Sequence, residues 1–448
     1  MPPDRLPSSR PLPYLQPQRR AQRRAQRRPQ AIGLAVGLGA LLVGCGPLPP
    51  PPQTLHVWMV PMGELDWLQD DNRDSQTWAP LLEAFRRQVP GASVQITIQP
   101  EQTLASRLQL ERSRGLGPDL LLLRAPVANA MLARGLVEPL PAHGPLATTL
   151  ALVQPTQLRR VTTANGLAGL PVFTEVTLAC HDRRRVPRSP ATLAELLALA
   201  ASGRPVGLSV DASGLWWTAG ALGAQHALEP IITRLAPTAT LPAAERSAGM
   251  RAWLTWLRQA ALQSRVDVAS GSRELTEGLE SGRLAWIPCA TTTLQRLNRT
   301  MGHHLGVAPL PSGPAGPPSP FTALRVLALG TDSSPRQRQL ALALAQLSLN
   351  PLVQRDLTLR SKKLVPVNRY VTIPVASSGR LAALAAAEGQ FLQTTPLMMG
   401  AFSSDDVNRV LGPLETTVAQ VMAGILTVDQ GVEQLEALGR RSLVGGRP

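Results

Sequence analysis

The chain has 448 residues, 44% of them hydrophobic and 17% charged, with a mean hydropathy of zero. That is an ordinary globular composition, long enough for two or three structural units with a sizeable core. The net charge of +15 has the size of a nucleic-acid binder's, but eight Arg and one Asp among residues 1–44 supply seven of those charges. The +8 left on the other 404 residues is spread without a dense basic run, which argues against nucleic acid as a partner.

Residues 1–44 read as an export leader. A polar arm ends in Arg19-Arg20, Arg23-Arg24 and Arg27-Arg28, and the apolar run Ala31–Val43 follows. That run is shorter than the ~20 apolar residues needed to span a bilayer, so it has the form of a signal-peptide core rather than a membrane helix. The next residues, Leu42-Val43-Gly44-Cys45, resemble a bacterial lipobox, and the resemblance implies cleavage before Cys45 and lipidation (palmitate among the acyl groups) of its thiol. Residues 45–54, with Pro49–Pro52, make an extended tether at ~3.1 Å per residue.

Two further cysteines, Cys180 and Cys289, are too few for a disulfide framework; one bridge and two free buried thiols are both open. The six His show no metal-ligand spacing, and His303-His304 would point to opposite faces of a strand. Gly207-Leu208-Ser209-Val210-Asp211 lacks the second glycine of a nucleophile elbow, and the Gly-rich stretch 312–320 is broken by prolines that cannot donate N–H groups to phosphate. No catalytic residue, metal or cofactor is expected.

Along the body, Leu55–Met59 reads as a strand and Trp78–Gln88 as an amphipathic helix stopped by Val89-Pro90-Gly91. Ser93–Ile98 alternates as a half-buried strand with Val94, Ile96 and Ile98 inward, and a helix is predicted over Gln102–Ser113. Gly117-Pro118-Asp119 turns into Leu120–Leu123, the continuous apolar run of a parallel strand covered on both faces, followed by a helix Ala128–Arg134 that ends at Gly135. Strands alternating with helices imply an α/β sheet.

Several phrases then resemble, in order, the extracellular solute-binding proteins of the sugar type, the maltose-binding-like family. They are Gly117-Pro118-Asp119-Leu120-Leu121; Leu132–Leu140; Gly169–Leu178, similar to a first inter-lobe crossing; Pro190-Ala191-Thr192-Leu193-Ala194-Glu195-Leu196; Gly282-Arg283-Leu284-Ala285-Trp286; Val307–Pro311; and Leu364-Val365-Pro366-Val367. They span about residues 55–440. The resemblance implies a two-lobe α/β periplasmic-binding-protein fold, with lobe 1 in 55–172 and 324–365, lobe 2 in 173–323 and 366–440, and a tail at 441–448. It also implies a ligand cleft between hinged lobes, at the C-terminal ends of parallel strands.

Candidate ligand-binding residues follow from where strands end. Glu64, Asp66 and Trp67 lie in the loop after the first strand, as hydroxyl acceptors and an indole platform or as a solvated turn. Glu175 lies in the first crossing and matches an acidic pocket position of the family. Asp211, Trp216 and Trp217 follow a strand; two adjacent Trp on a regular element suggest that one ring faces the cleft, with lobe packing the other reading. Trp286 and Thr292 flank the strand leading back to the hinge, where the hydroxyl is alternatively a helix cap. Trp253 and Trp256 read as helix core.

Departures from the family are Cys180-His181-Asp182 in place of the usual Tyr-Asn, Ala125-Pro126-Val127 where the maltose binder has charged residues, and Phe321–Arg325 at the late crossing. With Tyr370 the sole tyrosine of the body, the poor aromatic supply favours a small polyol or disaccharide over a long oligosaccharide. The resulting expectation is a monomeric receptor, not an enzyme, anchored through Cys45 on the periplasmic side of a membrane. It would capture a small neutral sugar or polyhydroxy solute for the permease subunits of an ABC importer. The alternatives are an envelope lipoprotein using this fold for sensing or assembly, and a carbohydrate-active enzyme.

Overall fold

The computed structural model describes residues 53–61, 71–233, 242–394 and 404–444. Cys45 and the trio Glu64, Asp66 and Trp67 lie outside them. In chain order the strands are β1 (Gln53–Met59), β2 (Ala92–Ile98), β3 (Leu120–Arg124), the two-residue β4 (Thr162–Thr163) and β5 (Gly166–Leu167), β6 (Leu170–Glu175), β7 (Thr177–Asp182), β8 (Val206–Ser209), β9 (Val266–Ala269), β10 (Trp286–Ala290), β11 (Leu305–Ala308), β12 (Ala323–Leu329) and β13 (Val365–Pro366).

They form two principal sheets. The first has the order β13-β6-β12-β3-β1-β2, with β1, β2 and β3 parallel and β12 antiparallel to both β3 and β6. The second has the order β11-β7-β10-β8-β9, with β8 parallel to β9 and β10, and β7 antiparallel to β10 and β11. β6 belongs to the first sheet through Glu175 and β7 opens the second at Thr177, so Val176 alone links them. The chain returns at Phe321-Thr322 into β12, and Ala323 pairs with Glu175, which sets the two crossings side by side.

Local sequence explains the elements that position these sheets. Leu120–Leu123 are all buried because helices cover both faces of the first sheet, whereas the edge strand β2 keeps its alternation of half-buried and exposed residues. Asp119 ties the strand entries together. Its Oδ2 accepts from the His56 N–H (2.8 Å) and its Oδ1 from the Ser333 hydroxyl (2.8 Å). The Pro-x-Thr-x-x-Glu phrase is a helix start: Thr192 Oγ1 accepts from the Glu195 N–H (3.1 Å), and the Glu195 carboxylate accepts from the Ala191 N–H (2.7 Å).

Helices Pro335–Ser348 and Pro351–Ser361 cover the first sheet with helix Asp71–Gln88, while the C-terminal helices Ser404–Ala423 and Val428–Val444 pack with Ala243–Ala261 over the second. Cys180 on β7 and Cys289 on β10 form a disulfide between neighbouring strands, which settles the pairing that sequence left open. Among the described residues no helix is long and apolar enough to cross a membrane.

Candidate functional site

Where the crossings run side by side, a cavity of about 390 Å³ opens between the two sheets. That lies within the ~300–1,000 Å³ range of small-molecule sites. Its first-sheet wall carries Arg124 at the end of β3, Arg160 and Glu175; its second-sheet wall carries Ser209 at the end of β8 and Asp211 just after it, with Pro288 and Ala290 on β10; Phe321 and Thr322, at the return crossing, also line it.

The charged groups are built in. Arg160 is buried, donating from Nη1 to Gln157 Oε1 (3.0 Å) and Thr322 Oγ1 (3.1 Å) and from Nη2 to the Thr322 carbonyl (2.7 Å). Burial lowers its pKa to about 10, so it remains a cation at neutral pH. Arg325, fully buried on β12, stands behind Glu175 at 3.9 Å and donates from Nη2 to the Val60 carbonyl. Arg124 is held at the rim by Glu101, with Nε to Oε2 at 2.9 Å. Asp211 accepts from the Gly214 N–H (2.6 Å) and from the Ser209 hydroxyl, so it also caps the short helix Ala212–Leu215.

The crossings are cross-tied. Thr291 Oγ1 accepts from the Val176 N–H (3.3 Å), the Thr291 N–H donates to the Val176 carbonyl (2.9 Å), and the Thr177 hydroxyl donates to the Phe321 carbonyl (3.2 Å). Together the walls offer carboxylate and hydroxyl acceptors, guanidinium donors and one flat apolar ring, a set that matches a polyhydroxy solute.

Of the sequence candidates, Glu175 and Asp211 line this cavity from opposite walls. The tryptophans do not, which corrects the expectation that one of the adjacent pair faces the cleft. Trp216 is 3% and Trp217 1% exposed, because both sides of their short helical segment are covered. Trp216 stacks behind Phe321 (centroids 5.5 Å) near Leu414 and Val418, and Trp217 meets Trp286 at 6.2 Å.

Trp286 is also core, 0% exposed, with Nε1 donating to Ser189 Oγ at 3.0 Å. It starts β10, and the residues of that strand that line the cavity, Pro288 and Ala290, begin two residues further on, roughly 7 Å away at ~3.3 Å per residue. Thr292 is half-buried on the 3-10 turn after β10; Pro288 and Ala290 are the residues that reach the cavity from this strand. Trp253 and Trp256 are helix core, Trp253 Nε1 donating to Thr218 Oγ1 at 2.7 Å.

Sequence reasoning missed Arg124, Arg160, Ser209 and Phe321. Arg124 had a readable signal, a cation directly after a four-leucine parallel strand. Phe321 had one in its place at a crossing, in a chain with five Phe.

By sequence, the chain matches no protein-family model and no curated protein. Compared as a fold, it is similar to the cyclo/maltodextrin-binding protein solved with maltotetraose (TM-score 0.66, 16% identity, 90% of this chain and 100% of that one). It is similar also to the GacH receptor of Streptomyces glaucescens, solved unliganded and with acarbose (0.64, 16%, 88% and 99%). A third is an ABC-transporter solute-binding protein of Thermotoga lettingae bound with α-D-tagatose (0.61, 17%, 87% and 100%). Likeness over nearly the whole of each partner, at identities this low, establishes architecture: the chain has the two-lobe α/β fold of the sugar-type ABC solute-binding proteins.

Proposed function

We propose that the protein is a lipid-anchored receptor that captures a small neutral sugar or related polyhydroxy solute in the inter-lobe cavity and delivers it to the permease of an ABC importer. The observation that carries this reading is the cavity itself, which is lined from both sheets at the paired crossings and holds acceptors, donors and the Phe321 ring together. The fold neighbours solved with maltotetraose, acarbose and tagatose support a sugar-like ligand. The Leu42–Cys45 segment supports the anchor, and the Cys180–Cys289 bridge supports an oxidising, exported location. Capture needs no chemistry from the chain; ATP hydrolysis belongs to a separate subunit.

A thermal-shift and calorimetric screen of hexoses, polyols, disaccharides and maltodextrins tests this. A cognate small solute at a hundredfold excess over its Kd stabilises the protein by about 2.7 kcal/mol. Phe321→Ala weakens that binding about tenfold, the loss of one aromatic platform. Stabilisation by long maltodextrins alone overturns the size assignment, and absence of binding to every solute overturns the receptor reading.

A further inference from the structure

The ladder between β6 and β12 ends at the pair Glu175–Ala323, and Thr322 is the first residue beyond it, on the return crossing from the second sheet. Its tie to the first sheet is made by a side chain. Arg160 takes the Thr322 carbonyl and hydroxyl together, across 162 residues of sequence. The Arg160 backbone is held in turn, its carbonyl accepting from the buried Asn129 side-chain amide at 3.0 Å.

Gln157, buried on the short helix Pro155–Arg159, extends this chain of bonds to the outgoing strand. Its Oε1 accepts from Arg160 Nη1 (3.0 Å), and its Nε2 donates to the Oγ1 of Thr174 (3.2 Å), the residue before Glu175 on β6. A guanidinium can only donate, so Arg160 dictates which end of the amide faces it and leaves the other end to the Thr174 hydroxyl. One buried carboxamide thus joins the strand that leaves the first sheet to the residue at which the chain returns. Arg160 lines the inter-lobe cavity; Gln157 is not among the residues that do.

We propose that Gln157 is a positioning residue of the hinge: acting through Arg160, it fixes the point at which the return crossing meets the first sheet and so narrows the range of lobe orientations in the solute-free protein. Hinges absorb their motion in a few residues at element ends, and Thr322 stands at such an end. With Thr322 held, rotation is left to Val176 and Phe321, which Thr291 and Thr177 grip from the side of the second sheet. The same lock presents the Arg160 guanidinium to the cavity in one orientation, so Gln157 bears on solute capture without touching the solute. This role rests on the two crossings and not on the identity of the solute.

Pulsed electron paramagnetic resonance on the solute-free full chain tests it, with nitroxides at Leu116→Cys, beside the first sheet, and Leu262→Cys, on the cover of the second; both positions are 65% exposed. A Cys45→Ser background leaves the introduced thiols to be labelled, since Cys180 and Cys289 are bridged. Gln157→Met fills the same space with neither bond, whereas Gln157→Glu keeps an acceptor for Arg160 and for the Thr174 hydroxyl. Expected is an inter-lobe distance distribution about twofold broader in Gln157→Met and in Arg160→Lys, which keeps the charge without the fork, and of wild-type width in Gln157→Glu. Thr174→Val breaks the outer bond alone and reads the same broadening where Gln157→Met does not fold. Wild-type width in Arg160→Lys, or in whichever of Gln157→Met and Thr174→Val is read, overturns the proposal. Equal broadening in Gln157→Met and Gln157→Glu also overturns it, reducing Gln157 to a packing residue. No solute is present, so a failure of the receptor reading, seen as absence of binding in the calorimetric screen, is a separate result.

Discussion

His181 and Glu388 are ionisable groups that folding pushes in opposite directions. His181 lies buried between β7 and β11, facing Gly306, where a β-carbon would fall on the imidazole. Burial, aided by the charge of Arg183 and partly offset by Asp182, lowers its pKa from 6.5 to about 4. The unfolded chain therefore binds one more proton than the native protein between those values, and His181 makes stability rise with pH from about 4 to 6.5. Burial raises the Glu388 carboxyl from 4.5 to about 7, so here the native state holds the extra proton. Its contribution is complete below 4.5 and is lost as pH climbs through 7. The two slopes, each at most about 1.4 kcal/mol per pH unit, oppose each other across pH 4.5–6.5. Thermal melts between pH 4 and 8 check this. Glu388→Gln should gain stability over wild type as pH rises toward 8, and His181→Gln should lose the wild type's protection against that decline. Parallel curves for wild type and both variants would show that neither group titrates differently on folding.

Gly330 marks where an element boundary depends on a close backbone approach. Its N–H donates to the Asp119 carbonyl (3.0 Å), and a β-carbon there would run into the Pro118 carbonyl oxygen, which belongs to the same turn that feeds β3. Gly330→Ala should therefore cost about 1–3 kcal/mol, the usual penalty of overpacking, read as a lower urea midpoint with an unchanged slope. An unchanged midpoint would mean the turn relaxes freely. The same turn shows why some elements were legible in the sequence. The four leucines of β3, the alternation of β2 and the Thr192–Glu195 helix start are local patterns whose physics is complete within a few residues. The tryptophans misled because an adjacent pair exposes a ring only if nothing covers it. Phe321, more than 100 residues later, and the C-terminal helix Ser404–Ala423 cover Trp216, while Trp286 covers Trp217. The cavity's guanidiniums were hidden for a related reason: Arg160 is defined by Thr322, 162 residues away, and Arg325 by Val60, 265 away. Glu175, singled out by its place in a crossing and by the family resemblance, lines the cavity, while its buried neighbour Arg325 carried no local signal.

At the scale of the molecule, the cavity walls belong to different sheets joined at Val176 and at Phe321-Thr322, so a solute that touches both walls couples binding to the lobes' relative position. A ligand shifts an open–closed equilibrium only by the difference in its affinity for the two states. If Arg124 on one wall and Asp211 on the other both engage the solute, each contributes to that difference, since an open cleft presents one wall at a time. Small-angle scattering of the wild type at saturating solute should then give a smaller radius of gyration than the free protein. Arg124→Ala and Asp211→Ala should each weaken binding about tenfold or more, the scale of one hydrogen bond to a charged group, and each should leave a smaller compaction at saturation. Asp211→Ala also uncaps the helix Ala212–Leu215, at about 1 kcal/mol, so its thermal stability without solute must be measured and allowed for. Binding that weakens in both variants while the compaction stays whole would place closure outside the control of these walls. A wild type that binds tightly with no compaction would make the cavity a preformed pocket, with the crossings acting as struts rather than hinges.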